Sequence, residues 1–307
     1  MTRWLALVVG ACVAQAQTLD LVTTDIDNFW IAYDASEPGN RSGAFQSTYF
    51  DNASPGLRDF IRLRIGTADD LAATVERYPK FFASVRTNTL RIESQRELIG
   101  VYASCFKRLY PLAVLPSVYF VIGPVSTGGT VGPSGLLIGA EVFSLGPDVD
   151  SSEIQQANPV FHRAMGSIDR LPLIVAHELV HFQQRFSGRR TLLAMSMIEG
   201  AADYIANRVS GRTINHQIRD YAESRRKELF QRFAGDLARR PDSLEGWLHN
   251  YSFELGEPPD LGYWIGAEIC LDYFTRAADK AAAIDAIIRM AEPEAIVRGS
   301  RYAWILR

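Results

Sequence analysis

Apolar residues recur at three- and four-residue intervals over Leu57–Arg64, Leu71–Ser84 and Leu98–Tyr110, which predicts amphipathic helices through most of residues 25–113. Pro38-Gly39 and Pro55-Gly56 punctuate this stretch as turns. The pattern changes at Pro116. Val118-Tyr119-Phe120-Val121-Ile122 is rich in β-branched and aromatic residues, and Leu136-Leu137-Ile138-Gly139-Ala140 is a second short apolar run, so two strands are expected with the glycine-rich Gly123–Pro133 as a flexible loop between them. From Leu171 the helical period returns and holds nearly to the end, with breaks near Gly188, Gly211, Pro241 and Pro258-Pro259. The expected fold class is α+β and mostly helical.

Arg3, the apolar stretch Trp4–Val13 and the small-residue step Ala14-Gln15-Ala16 form an export signal, so the chain divides into a signal peptide (1–16), a helical N-terminal region (17–115) and a region 116–307 that carries the chemistry. The apolar stretch is about half the ~20 residues a bilayer requires, so a periplasmic or secreted protein with no transmembrane span is expected. Val9-Gly10-Ala11-Cys12 also resembles a lipoprotein cleavage box, with Cys12 as the lipidated residue, although Gly10 fits that pattern poorly. After cleavage only Cys105 and Cys270 remain, either as two buried thiols or as one disulfide.

With 47% hydrophobic and 22% charged residues the balance is that of a globular protein, and a formal net charge of -3 asks for no nucleic-acid partner. The basic cluster at Arg225, Arg226, Lys227 and Arg232 alternates with Glu223, Glu228 and Asp236, which is a solvated helix face. Ser126-Thr127-Gly128-Gly129 has the glycine content of a phosphate loop but lacks its Gly-Lys-Ser/Thr ending, so nucleotide binding is set aside.

His177-Glu178-Leu179-Val180-His181 carries the chemistry. Residues four apart share one helical face, so both imidazoles can meet one ion while Glu178 reaches a water beside it. Ile174, Val175, Leu179, Val180 and Phe182 give this helix an apolar body, and Gly188 is its expected stop. Catalytic zinc takes three protein ligands. Gln184 and Ser187 occupy the positions where one zincin subclass has Gly and His, so the third ligand is sought on the next helix, at Glu199 in Ile198-Glu199-Gly200-Ala201-Ala202-Asp203. If the chain reverses at 188–190, the centre of the histidine pair and Glu199 each lie nine residues from the turn. At ~1.5 Å per residue both are about 13 Å from it, level on antiparallel helices. Gly200 would let these two helices approach. Asp203 is placed to accept the outer N–H of a ligand histidine, His177 in particular.

His177-Glu178-x-x-His181 with Glu199-x-x-x-Asp203 resembles the gluzincin metallopeptidases, and AHELVHFQQ, EGAADYIA, GTVGPSGLLIGAEVF and LGYWIGAEICLDYF resemble a bacterial family of predicted zinc-dependent proteases from about Asp25 to Ile287. The resemblance implies a zincin-like core with a small sheet, one catalytic Zn2+ and a peptide or protein substrate. It also implies that Glu178 takes a proton from a zinc-activated water and passes it to the leaving nitrogen. An oxyanion donor is expected from a later segment, with Tyr263 preferred over His249 and Tyr251 because it follows the Pro258-Pro259 loop and opens a helix. Such sites hold extended peptide along a sheet edge, for which 118–122 and 136–140 are the candidates. His162 and His216 are expected to be structural or solvent-facing. The competing reading is an exported zinc protein of the envelope with a binding or assembly role and little catalysis. The intact Glu178 speaks against it.

Overall fold

The computed structural model describes residues 19–249 and 257–307, so the signal segment with Cys12, and Tyr251, lie outside the described residues. The chain is mostly helical with one small mixed sheet, an α+β fold. The strands are β1 (Leu21–Val22), β2 (Val118–Val121), β3 (Gly129–Gly132) and β4 (Gly135–Gly139). The helices used below are α1 (Thr24–Asp34), α2 (Pro55–Phe60), α3 (Ala68–Arg77), α4 (Pro79–Leu90) and α5 (Arg96–Leu109). They continue as α6 (Leu171–Gln183), α7 (Leu192–Ser210), α8 (His216–Glu223), α9 (Arg226–Arg239), α10 (Leu261–Arg276) and α11 (Lys280–Arg289). Among the described residues no helix is long and apolar enough to cross a membrane.

Among the described residues two compact units emerge, one of residues 19–103 with Leu115–Glu178, the other of Ser104–Val114 with Leu179–Arg307. The first holds the sheet, in the order β1-β2-β4-β3. β2 pairs in parallel with β1 and β4, while β3 runs antiparallel to β4 with Thr130 opposite Leu137. Every residue of β2 and β4 is buried, as their continuous apolar runs require of inner strands. The loop expected at 123–133 therefore contains a strand. Its Gly-Thr-Val-Gly sequence has too few apolar residues to signal one, and pairing to β4 supplies what propensity does not. The tight turn into β4 needs Gly135, whose φ is +144°.

The helical run Leu71–Ser84 is two helices. Tyr78 leaves the helical region (φ −124°, ψ 53°) because the residue before Pro79 clashes with its ring, and Pro79 then opens α4. Phe29, Phe45, Tyr49, Phe60, Phe81 and Phe82 form the aromatic core of this unit, all fully buried. Phe29 stacks on Phe45 with ring centroids 5.2 Å apart.

The second unit is built around α7. Thr191 caps its start by accepting from the Ala194 N–H at 3.2 Å, and Gly211 ends it in the left-handed region at φ 69°. Gly200 does not serve the approach of the two metal-bearing helices that the sequence suggested. It faces α10, where a Cβ on Gly200 would lie 2.4 Å from the Ala267 nitrogen. A Cβ on Gly266 would lie 1.9 Å from the Ser196 carbonyl oxygen. Both positions admit hydrogen only, so backbone meets backbone at this crossing. Cys270, also on α10, is a free buried thiol, so no Cys105–Cys270 bridge forms.

Gly266→Ala drives a methyl into a backbone carbonyl that no rotamer change can move, and forced overpacking of this kind costs ~1–3 kcal/mol or more. Thermal denaturation is expected to show a clearly lowered Tm for Gly266→Ala and Gly200→Ala. Gly43→Ala, where a Cβ meets nothing within 4 Å, is the control and should melt near the wild type.

Candidate metal centre

His177 and His181 lie one turn apart on α6, and Glu199 sits on α7. One ligand atom from each lies within 4.8 Å of the others, and the group is largely buried. This His177–His181–Glu199 triad can hold a metal ion. The helix supporting it is shorter than expected. α6 ends at Gln183 rather than at Gly188, because Gln184 turns its side chain back across the site and the Arg185 N–H bonds the Arg289 carbonyl at 2.7 Å.

Gln184 also fixes the chemistry of His181. Its Nε2 donates to the Ile198 carbonyl at 2.8 Å, which leaves Oε1 facing His181 Nδ1 at 2.8 Å. An amide oxygen only accepts, so this network puts a proton on Nδ1, and a neutral ring then offers its lone pair at Nε2. Nε2 lies 3.2 Å from Glu199 Oε2. With the second imidazole these groups make a two-nitrogen, one-oxygen donor set of the kind that suits zinc. Sequence reading passed over Gln184, using it only to exclude a zincin subclass.

Glu178 is half-buried, and its Oε1 lies 2.6 Å from where a Cβ on Gly129 would stand. The first residue of β3 thus packs directly on the carboxylate between the two histidines. Asp203, one turn beyond Glu199, is buried and accepts from Asn215 Nδ2 at 2.7 Å.

A fourth carboxylate, Asp260, was not anticipated. It immediately precedes α10 in the left-handed region (φ 60°) and accepts the His249 N–H at 2.6 Å. Burial, helped by the negative charges of Glu199 and Asp203, pushes its carboxyl up to about 6, while His249 opposes the shift. An aspartate before a helix reads as a cap, which is why sequence alone gave it no role. Tyr263 lies half-buried in the first turn of α10, where Gly262 packs against Ser196 of α7. His249 is exposed and joins Asp260 through its main chain. His162 bonds the Ser151 hydroxyl at 2.8 Å, and His216 is exposed at the start of α8.

Glu141 also went unnoticed. It is fully buried behind β4 and accepts from the Val125 N–H at 3.2 Å, while its Oε2 has no partner. Burial pushes its carboxyl up to about 7 against the N–H groups of Gly123, Glu141 itself and Val125. Val125 has φ 53°, a costly setting for a β-branched residue, within the loop that leads to β3.

Comparison with models of known protein families, with curated proteins and with solved structures finds no match.

Gln184→Ala removes the acceptor that holds His181 Nδ1–H, and loss of such a partner typically weakens metal affinity ~10–100-fold. Competition titration of zinc against a chelator is expected to show that loss. For Glu141, the unfolded chain ionises near the ordinary 4.5 and the folded chain only near 7. Stability therefore falls between those values as pH rises, by on the order of 3 kcal/mol. Glu141→Gln should raise Tm at pH 8, and the gain should vanish as pH approaches 4.5.

Proposed function

We propose that this protein is an exported zinc metallopeptidase of gluzincin type, with a zincin-like core. The convergence of one ligand atom each from His177, His181 and Glu199 within 4.8 Å, with Glu178 between the two histidines, is the observation that carries the reading. When bound, zinc supplies Lewis acidity toward the scissile carbonyl and lowers the pKa of a water. The chain does the rest. Glu178 accepts the proton of the attacking water as the new carbon–oxygen bond forms, and returns it to the amide nitrogen as the carbon–nitrogen bond breaks. Gln184 keeps His181 in the tautomer that offers Nε2. Tyr263 is the donor proposed for the developing oxyanion.

The peptide-holding edge differs from the one first considered. The strand at 136–140 is flanked on both sides, and the strand at 118–122 is flanked by β4 and, over Val118 and Tyr119, by the two-residue β1. β1 and β3 are the outer strands, and β3 begins at the residue that packs on Glu178. An extended substrate added alongside β3 would bring its scissile bond toward the base. Export rests on residues 1–16, where a basic residue, a short apolar run and an Ala-Gln-Ala step stand in order.

Metal analysis of the purified protein is expected to find about one zinc per chain, lost in His177→Ala. Cleavage of a peptide library should disappear in Glu178→Gln while the zinc stays. A Glu178→Gln variant that cleaves at the wild-type rate would remove Glu178 from catalysis, and a wild-type chain without zinc would remove the metallopeptidase reading.

A further inference from the structure

The second unit contains a cavity of about 840 Å³ walled by α5, α7, α8 and α10, and it adjoins the metal-bearing helix α7 through Asp203. That volume is in the range of small-molecule sites. Leu109, Val209, Ile218 and Leu271 give it apolar walls. Four arginines line it, at 108, 208, 212 and 219, against three carboxylates.

Those carboxylates are largely committed. Glu268 pairs with Arg226, which lies outside the lining, Glu223 lies 3.8 Å from Arg219, and Asp203 takes Asn215. Arg208 rests on the Phe274 ring at 4.3 Å, and among the described residues neither Arg208 nor Arg212 makes an ion pair. Two exposed positive charges four residues apart, at the end of α7 and just beyond it, thus stand at the rim of a largely apolar chamber with no carboxylate in ion-pair contact.

The wall is also short of acceptors. The Tyr204 hydroxyl and Trp264 Nε1 both belong to lining residues and both are sealed from water; Trp264 Nε1 has no hydrogen-bond partner, and the Tyr204 hydroxyl has the Arg208 side chain beside it, itself a donor and no acceptor. The residues are only 7% and 6% exposed. Burial pushes the Tyr204 phenol up to about 12 although Arg208 pulls the other way, so the hydroxyl stays a donor. Buried donors are almost always satisfied, and here a small side-chain rotation toward a bound acceptor would meet the need.

We propose that this cavity is a binding site for an amphipathic carboxylate, an apolar chain lying between α5 and α10 with its carboxylate held by Arg208 and Arg212. The proposal stands apart from the peptidase reading, since none of His177, His181 and Glu199 lines the cavity.

Isothermal titration with decanoate, kept below micellar concentration, tests it. Saturable one-to-one binding is expected, about tenfold or more weaker for butyrate, which lacks the chain, and for decyltrimethylammonium, which reverses the charge. Arg208→Glu and Arg212→Glu should each weaken decanoate by a similar factor. Tyr204→Phe should weaken it several-fold, because it removes a buried donor to the carboxylate. His177→Ala should bind decanoate as the wild type does. Absence of saturation, equal affinity for the cationic analogue, indifference to both charge reversals, or loss of binding in His177→Ala would each overturn the proposal, the last by placing the carboxylate on the metal.

Discussion

The crossing of α7 and α10 constrains everything in the second unit. Where most helix pairs keep their axes apart with side chains, here the Ser196 carbonyl occupies the place of a β-carbon on residue 266, and the backbone of residues 266 and 267 crowds the α-carbon of residue 200. Such contact removes the freedom of either helix to rotate or slide, because any shift converts van der Waals contact into overlap. Glu199 is the peptide neighbour of Gly200, so the orientation of the carboxylate ligand is inherited from this contact. The same face of α7 brings Asp203 and Asp260 close enough for their charges to interact. Metal chemistry and helix packing are thus one arrangement viewed from two sides of α7.

How much of this could be read from the residues follows from the range of each interaction. The histidine pair was readable because helical periodicity is local, and Glu199 because the next helix offered a carboxylate; the count of helical rise from a turn at 188–190 does not describe the path, since α6 ends at Gln183 and residues 184–191 connect it to α7. β3 was unreadable because Gly-Thr-Val-Gly carries no strand preference of its own and is a strand only by pairing with β4. Glu141 and Asp260 fall in the same class. A glutamate after an apolar run and an aspartate before a helix look ordinary, and only the folded chain shows that one is enclosed and the other is near Glu199 and Asp203. The glycine at 200 was rightly taken as a mark of close packing and assigned to the wrong neighbour, since a residue type shows that something approaches and not what.

The first unit presents a different balance. A dense aromatic cluster holds its helices together, and a sheet with buried inner strands lies alongside. Into that stable frame the chain places two costly features close together, an enclosed carboxyl at Glu141 and a left-handed Val125. Costs of this sort persist only where the surroundings impose them. They fall in the segment that delivers β3 to Glu178, so the strain of the loop and the packing on the Glu178 carboxylate are linked through a few residues of main chain.

The amide of Gln184 reaches from a ring on one helix to the main chain of the next, and the carbonyl it grips belongs to the residue just before Glu199. It therefore acts as a gauge, setting the span between a nitrogen atom and an oxygen atom by a chain of covalent and hydrogen bonds rather than by any ion they could hold. A pocket spaced in this way sorts its guests by radius. Ions close in size to zinc would be admitted at little cost, while a larger one such as cadmium would have to stretch the gauge.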